Sequence, residues 1–224
     1  LRDPHADHGA QYLREITPEQ MLRIAQQNNA AVMVSTYNEP LITTEWAVEI
    51  FKRAKMSGMH CAYVSNGNAT REALEMLRPY LSAYKIDLKS MQDKIYRQLG
   101  GVLNNVLESI QRAHDLGLWV EVVTLLVPGF NDDPEESWAA ARFLASVSPD
   151  IPWHLTAYHP DYHMTTHPPT TASSLQTAAD IGQEAGLRFV YAGNLPGRVG
   201  SLENTYCPQC SSLLVKRQGY IIQE

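Results

Sequence analysis

Only three cysteines, Cys61, Cys207 and Cys210, occur in 224 residues. That is too few for a disulfide scaffold and agrees with a reducing, cytoplasmic setting. Cys61 lies in the apolar run HCAYVS and reads as a small buried hydrophobe. Cys207-Pro208-Gln209-Cys210 is half of a zinc knuckle. No second CxxC follows, so Cys207 and Cys210 are zinc candidates two ligands short, and a bare reverse turn is an equal reading. Charge is also sparse, at 19% of residues with a net charge of −6, which leaves no basic footprint and speaks against free nucleic acid as a partner. No apolar run approaches the length that spans a bilayer, so no membrane partner is expected. Leu1 to His8 is charged and polar, without the apolar centre of a secretory leader. The phosphate loop GxxxxGK[ST], the dinucleotide fingerprint GxGxxG and the nucleophile elbow GxSxG are all missing.

What is present is the material for one core. Hydrophobic residues make up 44%, ample for a globular domain of this length. Apolar, β-rich runs occupy residues 31–36, 60–65, 83–88, 119–127, 153–158 and 188–192. They recur every ~23–36 residues, the size of a βαβ unit. Continuous rather than alternating apolar runs suit parallel strands covered by helices. Helix signals fall between them. Thr17-Pro18-Glu19-Gln20 supplies a cap, a proline at the first helical position and a capping-box Gln, and Asp133-Pro134-Glu135-Glu136 repeats that logic. Helices are expected to end near Gly58, Gly117 and Gly186, where glycine takes the left-handed cap. Nearly every strand run ends in a polar cluster, which favours a barrel over an open sheet with one switch point. The expected division is a barrel over residues 1–196 and a small tail with the CxxC over 197–224.

Chemistry can be sought at those strand ends. Asn38-Glu39-Pro40 places a carboxylate directly after a strand, able to meet an ammonium group or a metal. A carboxylate at a helix N-terminus is favourable anyway, so both readings stand. Asp87 and Lys89 are two apart in a strand and share a face. If Tyr84, Ile86 and Leu88 pack outward, Lys85, Asp87 and Lys89 point inward, as an ion pair or as a Schiff-base lysine site. Glu121, flanked by valines, calls for a cation, and Lys89 one strand earlier is the expected one. His159, directly after its strand, is the better ligand candidate in a segment that also holds His154, His163 and His167. His163 and His167 read as solvated loop.

Taken in order, YNEP (37–40), VSNGNAT (64–70), YKIDLK (84–89), LVPGFND (126–132), HPDYHM (159–164) and TYCPQC (205–210) resemble the radical S-adenosylmethionine (SAM) proteins related to the pyruvate formate-lyase activating enzyme. The chain is most similar to the AmmeMemoRadiSam-system branch of that family. The resemblance implies a partial (β/α)6, TIM-like barrel and an oxidoreductase chemistry carried by a [4Fe–4S] cluster and SAM, cleaved to a 5′-deoxyadenosyl radical. It implies SAM contacts at Asn38, Glu39, Asn66, Asp87, Lys89 and His159, with Tyr37 and Asn38 standing where the family has two glycines. It also implies an electron donor, and leaves the substrate open between a protein and a small molecule. The family's CxxxCxxC loop follows its first strand, yet residues 1–17 contain no cysteine and no convincing strand. The expectation is therefore a cropped chain, inactive alone, whose first strand and cluster loop are missing together. The alternatives are a cluster-free barrel that binds or scaffolds, and a barrel lyase using Lys89.

Overall fold

In the computed structural model, which describes residues 15–223, the six apolar runs form one parallel sheet. Its strands are β1 (Val32–Ser35), β2 (His60–Ser65), β3 (Ala83–Asp87), β4 (Trp119–Leu126), β5 (Trp153–Ala157) and β6 (Val190–Gly193). They pair in sequence order, β1 to β6, without the reversal that creates a switch point in doubly wound sheets. The sheet is a partial barrel: β1 and β6 each have one strand neighbour among the described residues. The helices are α1 (Pro18–Gln27), α2 (Thr44–Met56), α3 (Arg71–Leu77), α4 (Asp93–Gln98), α5 (Leu103–Asp115), α6 (Pro134–Val147) and α7 (Ala172–Glu184). None of the described helices is long and apolar enough to cross a membrane.

Alternation along the strands sorts two faces. Cys61, Tyr63, Tyr84, Ile86, Val122, Trp153 and Leu155 are buried in the core that the helices cover. Phe51 of α2, Tyr63 and Tyr84 stack edge to face within it, with centroids 5.8 and 6.1 Å apart. The other face carries half-buried polar groups: Lys85 and Asp87 on β3, Glu121 on β4, His154 on β5 and Tyr191 on β6. Tyr84, Ile86 and Leu88 are buried, so the expected inward aim of Lys85, Asp87 and Lys89 holds.

The caps follow their sequence signals, with two departures. Thr17 closes the full capping box with Gln20. Gly58, Gly117 and Gly186 follow their helices with φ of 79°, 73° and 100°. At α6, Asp133 caps the backbone of Glu135, but Glu136 does not reach back to the cap. It is buried and accepts from Ser90 Oγ at 2.9 Å and from the Met91 amide at 2.7 Å, because the loop after β3 offers donors that water cannot reach. The helix N-terminus read at Glu39 is that of a 3-10 turn over Pro40–Thr43, and α2 begins only at Thr44.

Beyond β6, a 3-10 turn (Gly200–Glu203) leads to two small antiparallel hairpins. They are β7 (Thr205–Tyr206) with β8 (Leu213–Val215), and β9 (Arg217–Gln218) with β10 (Ile221–Ile222). The Glu203 carboxylate accepts from the amides of Gly197 and Gly219 at 2.8 and 2.7 Å, tying the tail together. The expected absence of a strand in residues 1–17 falls almost wholly on residues 1–14, outside the described residues.

Candidate functional site

Because all six strands run the same way, every residue that follows a strand lies at one end of the sheet. Glu39 comes first. Its carboxylate caps the 3-10 turn through Oε1, which accepts from the Leu41 amide at 3.1 Å. The same oxygen accepts from Ser65 Oγ at 2.8 Å, and Oε2 accepts from the Asn66 amide at 2.7 Å. One carboxylate thus caps the turn, as the helix-terminus reading of Glu39 expects, and ties the end of β1 to the end of β2. Ser65 also accepts from the Tyr84 hydroxyl at 3.1 Å and the Gly67 amide at 3.0 Å. Ser65 was not legible as a site residue: its one signal is a hydroxyl closing an apolar strand before Asn-Gly. Asn66 is exposed, and its side chain accepts from the Asn68 amide at 2.9 Å. Asn38 is exposed beside Glu39.

The second cluster stands on the adjoining strand. Asp87 bridges Lys85 and Lys89, each at 3.0 Å. Burial pushes the Asp87 carboxyl up, but the Lys89 and Lys85 ammonium groups outweigh it and hold the group below its ordinary value. Asn131 fixes this strand end against its neighbour. Its amide donates to the carbonyls of Lys89 and Leu125 at 2.6 and 2.9 Å, and its oxygen accepts from the Val127 amide at 2.7 Å. That is the local work of the LVPGFND segment. His159 lies at the same sheet end, after β5, and is exposed. Among the described residues it makes no hydrogen bond to either cluster.

Glu121 takes a different partner from the one expected. Lys89 is spent on Asp87, whereas Glu121 Oε2 meets His154 Nε2 at 2.8 Å and Oε1 accepts from the Trp119 indole at 2.8 Å. The reason is register. Glu121 pairs with Lys85, a full two-residue step below Asp87, while His154 approaches from the other side on β5. The His154 hydrogen bond leads in holding the Glu121 carboxyl below its ordinary value, against burial, and the Trp119 bond adds to it. His154 in turn stacks on Tyr191, with centroids 5.0 Å apart and planes 20° from parallel. His167 is half-buried rather than solvated, with Nδ1 2.7 Å from the Pro128 carbonyl, because its loop folds back over the end of β4.

The cysteines do not converge. Cys61 is wholly buried against α2, where burial pushes its thiol up to about 11. Cys207 and Cys210 sit in the turn of the β7–β8 hairpin, where hydrogen bonding, led by Ser212, lowers the Cys210 thiol. No three His, Cys, Asp or Glu among the described residues are gathered as metal ligands.

Comparison with known proteins places this geometry. The chain is 36% identical over 205 residues to an uncharacterized protein of Methanocaldococcus jannaschii, covering 91% of this chain and 60% of that one. It is 27% identical over 152 residues to the isethionate sulfite-lyase activating enzyme of Oleidesulfovibrio alaskensis, covering 64% of this chain and 48% of the enzyme. This chain thus spans about half to 60% of the length of these relatives. The crystal structure of a domain of the pyruvate formate-lyase-activating enzyme from Bacteroides vulgatus shares the fold. Its TM-score is 0.64 at 24% identity, and the match covers 72% of this chain and 98% of that domain. The sequence pattern of the radical SAM superfamily, whose members use SAM and a [4Fe–4S] cluster, matches residues 4–141, and the chain belongs to that superfamily.

Proposed function

We propose that Glu39, Asn66, Asp87 and Lys89, with Asn38 and His159 at the rim, bind SAM, and that the whole protein is a radical SAM enzyme of the activating-enzyme kind. In that reading the intact enzyme holds a [4Fe–4S] cluster, receives an electron from a donor, and cleaves SAM to a 5′-deoxyadenosyl radical that oxidises a protein or a small molecule. The observation that carries the reading is the placement of opposite charges, Glu39 and Lys89, at the same end of the sheet on β1 and β3, either side of β2. The methionine end of SAM carries an ammonium and a carboxylate; its adenosine end carries a diol. Glu39 Oε2 holds one amide and keeps acceptor capacity for an ammonium. Lys89 uses one of its three donors on Asp87 and keeps two for a carboxylate. These residues fit SAM. What they do is bind and orient it; none is assigned a proton transfer.

The cluster is another matter. Three thiolates must meet at one point to hold it. Cys61 is sealed in the core and the other two stand in the tail hairpin, so the cysteines of this chain do not fit the group. The test uses the whole protein, reconstituted anaerobically with iron, sulfide and a reductant, with release of 5′-deoxyadenosine from SAM as the readout. Glu39→Gln and Asp87→Asn should each cut that release by about tenfold or more, the worth of a hydrogen bond to a charged group. Release at an unchanged rate in both variants contradicts the assignment.

A further inference from the structure

The inner face of β4–β6 and the tail line a half-open cavity of about 630 Å³, within the usual range for small-molecule sites. It lies beside the proposed SAM site rather than in it. Along the sheet, Asp87 pairs with Val123, Val123 with His154, and His154 with Tyr191. His154 therefore stands on the same rung as Asp87, two strands away, or roughly 10 Å at the usual strand spacing.

The charge balance of this cavity is unfinished. Two carboxylates line it, and both are committed: Glu121 to His154 and Trp119, Glu203 to the amides of Gly197 and Gly219. Arg217, on β9, also lines it. Its Nη1 donates to Thr205 Oγ1 at 2.6 Å and to the Glu203 carbonyl at 3.4 Å. The Thr205 hydroxyl also meets the Tyr191 hydroxyl at 3.1 Å, so the tail cation is fastened to β6. The Nε and Nη2 of Arg217 have no hydrogen bond, and the guanidinium no carboxylate partner, among the described residues. A held, half-buried guanidinium with open donors is a fork for a carboxylate or a phosphate. The lining also offers flat aromatic surface: the His154–Tyr191 stack, and the Trp119 indole at the rim, 54% exposed.

We propose that this cavity binds a small molecule that joins an acidic group, a carboxylate or a phosphate, to a flat apolar or aromatic body. The acid sits on Arg217 and the body lies along His154, Tyr191 and Trp119. The tail covers the side of β6 that has no strand neighbour among the described residues. The inference goes beyond the SAM reading and does not depend on it.

The experiment is calorimetric titration of this chain with benzoate and phenyl phosphate, against neutral benzamide. Both acids should bind saturably, with Kd on the order of 1 mM, and benzamide at least tenfold more weakly. Arg217→Gln should weaken the acids about tenfold, and Arg217→Lys should keep part of the affinity. Equal binding of benzamide and benzoate, or an Arg217→Gln variant that binds like the parent, overturns the proposal. So does a capped peptide bearing one glutamate that binds tighter than benzoate. Loss of affinity in Lys89→Gln but not in Arg217→Gln moves the acid to the SAM site and overturns it as well.

Discussion

Asp87 is held between two lysines on one inward face, and its charge is part of what keeps that face in order. Its folded pKa lies below the ordinary 3.8, so the stability it contributes is complete above that value and is lost as pH falls through the lower folded one. Glu121 behaves likewise below its ordinary 4.5. Asp87→Asn should cost about 1 kcal/mol at neutral pH and flatten the loss of stability below about pH 4. Urea melts of both proteins across pH 2–7, a window of about these limits, would check it; parallel acid limbs would contradict it. The inward aim of Lys85, Asp87 and Lys89 was legible because a strand period of two needs no knowledge of neighbours. The Glu121–His154 pair was not, because it depends on the register of β4 against β5, and nothing local to either strand encodes that. Ser65, Asn131 and Arg217 escaped for a related reason: each acts on a partner far away in sequence.

Among the elements, the parallel strands were the most legible. Each observed strand falls within one or two residues of its apolar run, because burial on the helix-covered face demands such runs. The tail hairpins were not legible, since strands of two or three residues leave no periodic trace. Packing of α7 on the sheet rests on a detail equally silent in sequence. Gly182 lies so close to β5 and β6 that a Cβ there would stand 3.0 Å from both Trp153 Cε3 and Val190 Cγ2. Trp153 is buried and its indole donates to Thr124 Oγ1 at 3.0 Å, so it has little freedom to retreat. Gly182→Ala should therefore destabilise by about 1–3 kcal/mol, although alanine is the better helix former. A raised melting temperature would show that α7 can shift outward freely.

At the scale of the whole molecule, the partial barrel carries the residues of the proposed SAM site but its three cysteines do not meet to hold a cluster. Anaerobic treatment of this chain with iron and sulfide should give no stoichiometric absorbance near ~400 nm. A robust band would assign the tail cysteines as cluster ligands. The central claim is that SAM binds where the ends of β1, β2 and β3 meet. Amide NMR of this chain, titrated with SAM, tests it most directly. Saturable shifts are expected, centred on Asn66, Gly67 and Lys89 and displaced to about tenfold higher SAM in Asp87→Asn. An absence of shifts at those amides, or shifts gathered instead around Arg217, would contradict it.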